Sequence, residues 1–257
     1  QILEDQLWAI ESLKYKKYKH YRLEYECDPS GIPLTPLKVN AVPLSDDDMA
    51  DENKLAESVM ILDNGFPMPN YRFLDISGLD AYDLDQSKTS KSLGAMVVLR
   101  QHNTISTTVS MAPVCLIRTR PRVKEIFYEM CLKVAIFYGL HERVLVDVAK
   151  AMVIQYFKDH GGSGFLARRP TKFESEGSDQ HHEFGVALTT FSRPRMIGLL
   201  QTYFQQNAQN CWFPQILREA LDFDEAQRDS DNDTVDALGI ALMQMISMGA
   251  EVLDYDA

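Results

Sequence analysis

The chain has 257 residues, of which 45% are hydrophobic and 25% charged, so it can bury a sizeable core and is not a disordered polyelectrolyte. Its longest apolar runs, at 134–137 and 238–243, are far too short to span a bilayer, so no membrane role is expected. A net charge of −11 excludes a general basic coat for nucleic acid: any DNA contact must be local, and composition alone suits a plain acidic surface slightly better.

Residues 1–5 are polar and charged, so no signal peptide is expected, and the lack of a first Met suits a fragment or processed piece. Leu3, Leu7, Ile10 and Leu13 recur at helical spacing, which predicts one long helix over 1–26. Its second half is basic, with Lys14, Lys16, Lys17, Lys19, His20 and Arg22 interleaved with Tyr15, Tyr18 and Tyr21. That cluster reads either as a solvated face with aromatic packing or as a contact for phosphates or an acidic partner. Pro29, Gly31, Pro33, Pro36 and Pro43 mark an irregular connector with a short strand at 37–42. Asp46, Asp47 and Asp48 are a capping run for a helix to about residue 60. Asn64-Gly65 and the turn residues at 67–70 set a boundary at 70, leaving 1–70 as a helical and irregular extension and 71–257 as the main domain.

Strands are expected at 71–79, 93–100 and 108–117, then a helix at 121–138 with Val123, Phe127, Met130, Val134 and Phe137 on one face. The β-branched run at 144–148 reads as a buried strand, and 149–160 as a helix stopped by Gly161-Gly162. A short strand at 164–167, a polar loop at 168–190 and helices at 193–207, 213–222 and 233–252 complete the chain. Strands followed by strands alternating with helices predict an α/β sheet covered on both faces. Cys27, Cys115, Cys131 and Cys211 form no CxxC pair or zinc spacing and read as reduced structural thiols in a cytosolic compartment. Trp8 and Trp212 read as packing residues.

Three aspartates stand where chemistry is plausible. Asp80 ends the first strand in Gly78-Leu79-Asp80-Ala81-Tyr82-Asp83. Asp147 ends Val144-Leu145-Val146, and Asp233 opens the last helix. A carboxylate at the end of a buried strand is costly unless paired or holding a cation, and ligands of open α/β sheets gather at strand ends. Carboxylate clusters prefer hard cations such as Mg²⁺ or Mn²⁺, and two such ions promote phosphodiester hydrolysis without a nucleophilic side chain. Each aspartate also has a plain role open to it: Asp80 as a turn cap, Asp147 as an arginine partner or cap, Asp233 as an N-cap. Asp75 is an alternative first ligand, although alternation puts it on the other face from Asp80. Asp83 and Asp85 read as solvated or assisting, and His181 and His182 as exposed, with a ligand or base role open.

Four motifs stand out: Gly78-Leu79-Asp80-Ala81-Tyr82-Asp83, then Lys88-Thr89-Ser90-Lys91-Ser92-Leu93-Gly94, the Arg120-Pro121 segment with Phe127-Tyr128-Glu129, and the Asp-rich opening Asp231–Leu238. In these the chain resembles the C-terminal nuclease domain of the large terminase subunit of tailed phages, especially its divergent crAss-like form. The likeness spans about 71–245. The family's second acid is usually Glu, where this chain has the shorter Asp147.

The resemblance implies a ribonuclease H-like mixed sheet flanked by helices, with an N-terminal helical extension joining a motor domain. It implies a metal-dependent endodeoxyribonuclease, a hydrolase that cuts concatemeric DNA during bacteriophage genome packaging. Asp80, Asp147 and Asp233 would be catalytic and would hold two Mg²⁺ or Mn²⁺ ions, with Asp236 assisting. Apart from the resemblance, Arg168, Arg169, Lys172, Arg193 and Arg195 read either as scattered surface charge or as the local basic strip with which an acidic nuclease would touch double-stranded DNA. The implied partners are the terminase ATPase domain, the small terminase subunit and the portal, in the host cell cytoplasm. No GxxxxGK[ST] loop occurs, so translocation is not expected of this piece. Another ribonuclease H-like nuclease (a resolvase or transposase core) and a non-catalytic acidic docking module remain open alternatives.

Overall fold

The computed structural model describes residues 1–14, 16–68, 74–82, 93–104, 109–173, 183–223 and 232–249. Among these, seven strands form one sheet: β1 (Tyr18–Tyr25), β2 (Val39–Pro43), β3 (Val59–Leu62), β4 (Asp75–Asp80), β5 (Gly94–Arg100), β6 (Ala112–Thr119) and β7 (Val144–Val146). Their order is β2-β1-β3-β6-β5-β4-β7. Neighbours are antiparallel except β4 and β7, which run parallel. The architecture is a mixed α/β sheet flanked by helices, consistent with a ribonuclease H-like fold. Strands from both sides of position 70 share this sheet.

The central strands are apolar on both faces because both faces are covered. Helix α8 (Asp233–Ser247) lies over β4, β5 and β7 and buries nearly all its residues. Helix α6 (Ser192–Asn207) backs α8 from outside, and α7 (Pro214–Leu221) packs on both α8 and the N-terminal helix α1 (Ile2–Glu11). Helix α4 (Lys124–Tyr138) occupies the opposite face, with the Phe127 ring directly over Gly94. Strand alternation requires this split. Gly78 faces α8 and pairs with Val97, and Gly94 lies an odd number of residues from Val97. Helix α5 (Ala151–Asp159) packs on α4.

The long helix expected over 1–26 is not formed. The helical period ends near Ile10, and Tyr18–Tyr25 is a strand that buries Tyr21 and Leu23 on one face and Tyr18 on the other. Alternating aromatic and charged residues suit a half-buried strand better than a helix. This splits the basic cluster: Lys17 lies over the Trp212 ring at 5.2 Å, Arg22 pairs with Glu24, and His20 Nδ1 meets Ser58 Oγ at 2.9 Å. Tyr15 lies outside the described residues. Trp8, expected to pack, is 73% exposed.

The helix expected from 46 to 60 is also corrected. Asp51 ends α2 (Asp46–Ala50) and caps α3 (Glu52–Ala56), accepting from the Asn53 and Lys54 N–H groups. The run Val59–Leu62 then forms buried β3, since four apolar residues fit an interior strand. Residues 163–165 form a 3-10 turn, and only an isolated bridge from Leu166 to Val144 remains of the strand expected there. Burial holds the thiols of Cys115, Cys131 and Cys211 well above their usual range, and Cys27 is exposed.

Gly78 sets the approach of α8. A Cβ there would lie 2.0 Å from the Ala237 carbonyl oxygen and 2.4 Å from the Ala241 nitrogen, both backbone atoms that cannot swing aside. Gly78→Ala is expected to destabilise the fold by about 3 kcal/mol, the upper end of ordinary overpacking. Urea denaturation checks this; a loss within experimental error means α8 is free to shift.

Candidate active site

Asp80 and Asp147 end two neighbouring parallel strands. Leu79 pairs with Val146, so the next residues along, Asp80 and Asp147, stand side by side, on strands about 4.8 Å apart. The Asp147 N–H donates to the Leu79 carbonyl at 3.2 Å, which holds this register past the end of β7. Asp80 shares the face of Gly78, the face under α8. Asp147 is buried, and its Oδ1 accepts the Ala149 N–H at 3.0 Å, so the capping role open to it is filled.

Helix α8 brings the other two acids to the same end. Its axis crosses Gly78 at Ala237, so Asp233, one turn earlier, projects towards the Asp80 end of β4. Asp233 is buried, and its Oδ2 accepts the Leu93 N–H at 2.9 Å, tying the first turn of α8 to the start of β5. Asp236 lies next along the same face. Burial pushes its carboxyl up to about 6; Arg193 pulls it down, while Asp233 and Asp147 push it further up. Those repulsions put Asp147, Asp233 and Asp236 in one electrostatic group.

Asp233 is not the N-cap. That function belongs to Glu219, a buried residue of α7 that sequence reasoning missed. Its Oε2 accepts the Thr234 N–H at 2.8 Å, the Val235 N–H at 3.4 Å and the Thr234 hydroxyl, and its Oε1 accepts from Arg118 Nε at 2.7 Å. One carboxylate thus holds the opening of α8 and links it to β6. The available signal was a Glu placed three residues after Ile216 and beside Ala220, on the apolar stripe of a short amphipathic helix.

Other expected residues fall elsewhere. Asp75 sits at the far end of β4 on the opposite face, in a two-pronged pair with fully buried Arg100 at 2.8 and 3.1 Å. Ala81 and Tyr82 are buried, with Arg120 over the Tyr82 ring at 5.0 Å and Tyr128 donating to the Tyr82 carbonyl. Arg168, Arg169 and Lys172 line a groove with Glu142, Gln244 and Ser247 at the C-terminal end of α8. Lys172 Nζ donates to the Ile246 carbonyl, and Arg195 donates to the Lys172 carbonyl and stacks on Phe191. Asp233 and Ile246 lie towards opposite ends of α8, about 20 Å apart at 1.5 Å per residue. Among the five basic residues expected to touch DNA, Arg193 contacts an acid of the group, its Nη1 lying 3.4 Å from Asp236 Oδ2. Asp83, Asp85, His181, His182, Asp231 and residues 88–92 of the motif lie outside the described residues.

Among the described residues, no three of His, Cys, Asp and Glu form a group that could hold a metal ion in the present side-chain arrangement. The donor chemistry nonetheless fits a hard cation. All four residues offer carboxylate oxygens, and Asp236 Oδ1 is buried with no hydrogen-bond partner.

No family model and no curated protein matches the chain. Among solved structures, it is similar to the large terminase nuclease of thermophilic phage G20c: 13% identity and a TM-score of 0.46, over 71% of this chain and 86% of that one.

Two outcomes follow. The folded chain holds the Asp236 proton more tightly than the unfolded chain, so this carboxyl favours folding as pH falls from about 6 towards 4, and that contribution is lost as pH rises through about 6. Asp236→Asn should come nearest the parent at about pH 4 and exceed it by about 3 kcal/mol near pH 7.5 in EDTA. Equal destabilisation at both pH values means the Arg193 pair dominates instead. Glu219→Gln turns an amide towards the α8 N–H groups and should cost about 1–3 kcal/mol in urea denaturation. Glu11→Gln, which breaks an exposed pair with Arg218, is the control and should change little.

Proposed function

We propose that this chain is a metal-dependent nuclease that hydrolyses DNA phosphodiesters, acting as the cutting module of a phage genome-packaging terminase. The observation that carries this reading is the gathering of Asp80, Asp147, Asp233 and Asp236, from two strand ends and one helix, at one end of the sheet. Such a group is costly at neutral pH unless a cation joins it. Mg²⁺ or Mn²⁺, two ions in the reading adopted here, would supply charge neutralisation at the scissile phosphate and activation of a water.

The chain's own residues supply the rest. Asp80 and Asp147 offer two carboxylates in register on a rigid sheet. Leu93 and Glu219 hold the first turn of α8, and so Asp233 and Asp236, against that sheet. With a net charge of −11, DNA has to be gripped locally. Arg168, Arg169 and Lys172 would serve that purpose on the backbone about 20 Å from the acids along α8, beyond the scissile bond itself. Phosphate contacts carry no base information, so little sequence preference is expected. The reading extends to an ATPase motor, a small terminase subunit and a portal as partners, in the cytoplasm of an infected cell.

The test is cleavage of plasmid DNA with Mg²⁺ or Mn²⁺. EDTA should abolish it, and Asp80→Asn, Asp147→Asn or Asp233→Asn should each reduce it about a hundredfold or more, the size of effect seen when one transition-state stabiliser is removed. Undiminished cutting in EDTA sinks the metal mechanism.

A further inference from the structure

Arg193 and Asp236 form a pair whose geometry is incomplete on both sides. A single contact joins them, Nη1 to Oδ2 at 3.4 Å. Both side chains are largely buried, at 22% and 14% exposed. Arg193 Nε and Asp236 Oδ1 are both buried without a hydrogen-bond partner. A guanidinium and a carboxylate can satisfy each other with two parallel bonds, as Arg100 and Asp75 do in this molecule at 2.8 and 3.1 Å. Buried ion pairs offset their desolvation only when the geometry is good and the remaining polar atoms are bonded. This pair meets neither condition.

The position of Arg193 is nevertheless fixed by its surroundings. Its N–H donates to the Thr189 carbonyl at 2.9 Å. The neighbouring Ser192 is fully buried; its hydroxyl accepts the Thr189 N–H at 2.8 Å and donates to the Ala187 carbonyl. Arg193 therefore sits in the first turn of α6, where the helix dipole disfavours a cation. A cation held against the dipole, half-bonded to an acid with a spare oxygen, has the properties of a placeholder.

We infer that Arg193 is an internal counter-cation that Asp236 exchanges for a divalent metal, freeing the guanidinium to take a phosphate oxygen of DNA. The inference rests on the nuclease reading above and adds a regulatory step to it. Without metal, Arg193 offsets the charge of Asp236, one acid of the group; with metal, both orphaned atoms gain partners. Metal loading and phosphate binding are thereby coupled through one side chain.

The experiment is Mn²⁺ binding by calorimetry, without DNA, for the parent, Arg193→Gln and Arg193→Lys, with thermal melting to check the fold. Removing the competing charge should tighten Mn²⁺ binding about tenfold in Arg193→Gln, while Arg193→Lys stays near the parent. Arg193→Met, equally uncharged, is the second variant if the glutamine form does not fold. Binding of a short duplex with Ca²⁺, a hard oxygen-seeking cation, should weaken in the uncharged variants, with the log–log salt slope reduced by about 0.9, one phosphate contact. Equal or weaker Mn²⁺ affinity in the uncharged variants, with the parent binding normally, overturns the exchange alone; so does an unchanged salt slope. A parent that binds no Mn²⁺ overturns the metal reading, and the exchange with it.

Discussion

The candidate site depends on one close contact, the backbone of α8 lying directly on Gly78 of β4. A helix usually stands off a sheet by the thickness of two layers of side chains. Here a glycine in the strand, and Ala237 and Ala241 in the helix, remove that layer. The first turn of α8 then comes down beside the ends of β4 and β7, and Asp233 can accept from the backbone of Leu93. Glu219 acts on the same turn from the other side, capping N–H groups that α8 cannot satisfy itself. The sheet supplies two carboxylates, the helix two more, and the glycine contact brings them within electrostatic reach.

Among the described residues, buried Asp75 and Glu219 and the largely buried Asp236 each meet an arginine, and the quality of the pairing separates their roles. Asp75 and Arg100 share two short bonds, and the same guanidinium also donates to the Gly65 and Phe66 carbonyls, so the pair closes off the far end of the sheet. Glu219 accepts from Arg118 and from three donors on α8, which explains how a carboxylate is tolerated among Ile216, Leu217 and Ala220. Asp236 has a single long contact and an idle oxygen. Fully bonded acids serve the fold. The under-bonded one stands close enough to Asp147 and Asp233 for their like charges to oppose its ionisation. Incomplete satisfaction is costly in a core and useful where a ligand supplies the missing partner.

Charge is divided along α8 in a related way. The acids gather at its N-terminal end, which favours anions, and the groove of Arg168, Arg169 and Lys172 opens at its C-terminal end, which favours cations. An acidic chain can thus present a local cationic surface without changing its overall sign.

The sequence by itself determined the central strands, the order of α4 to α8 and the standing of Asp80, Asp147 and Asp233 as residues at element ends, because hydrophobic periodicity and punctuation are local properties of the chain. Alternation along β4 was enough to separate Asp75 from Asp80. The strand character of 18–25 was obscured by a basic, tyrosine-rich stretch that follows a real helix, and β3 by a run too short to tell a buried strand from the end of a helix. The partners of each charge were not legible at all. Arg100 for Asp75, Arg118 for Glu219 and Arg193 for Asp236 are separated by 25, 101 and 43 residues respectively. No pattern within an element encodes such distances. Only the packing of α8 on Gly78, with α6 and α7 behind it, decided which carboxylates are satisfied and which keeps an oxygen without a partner, since that depends on where side chains from remote elements meet.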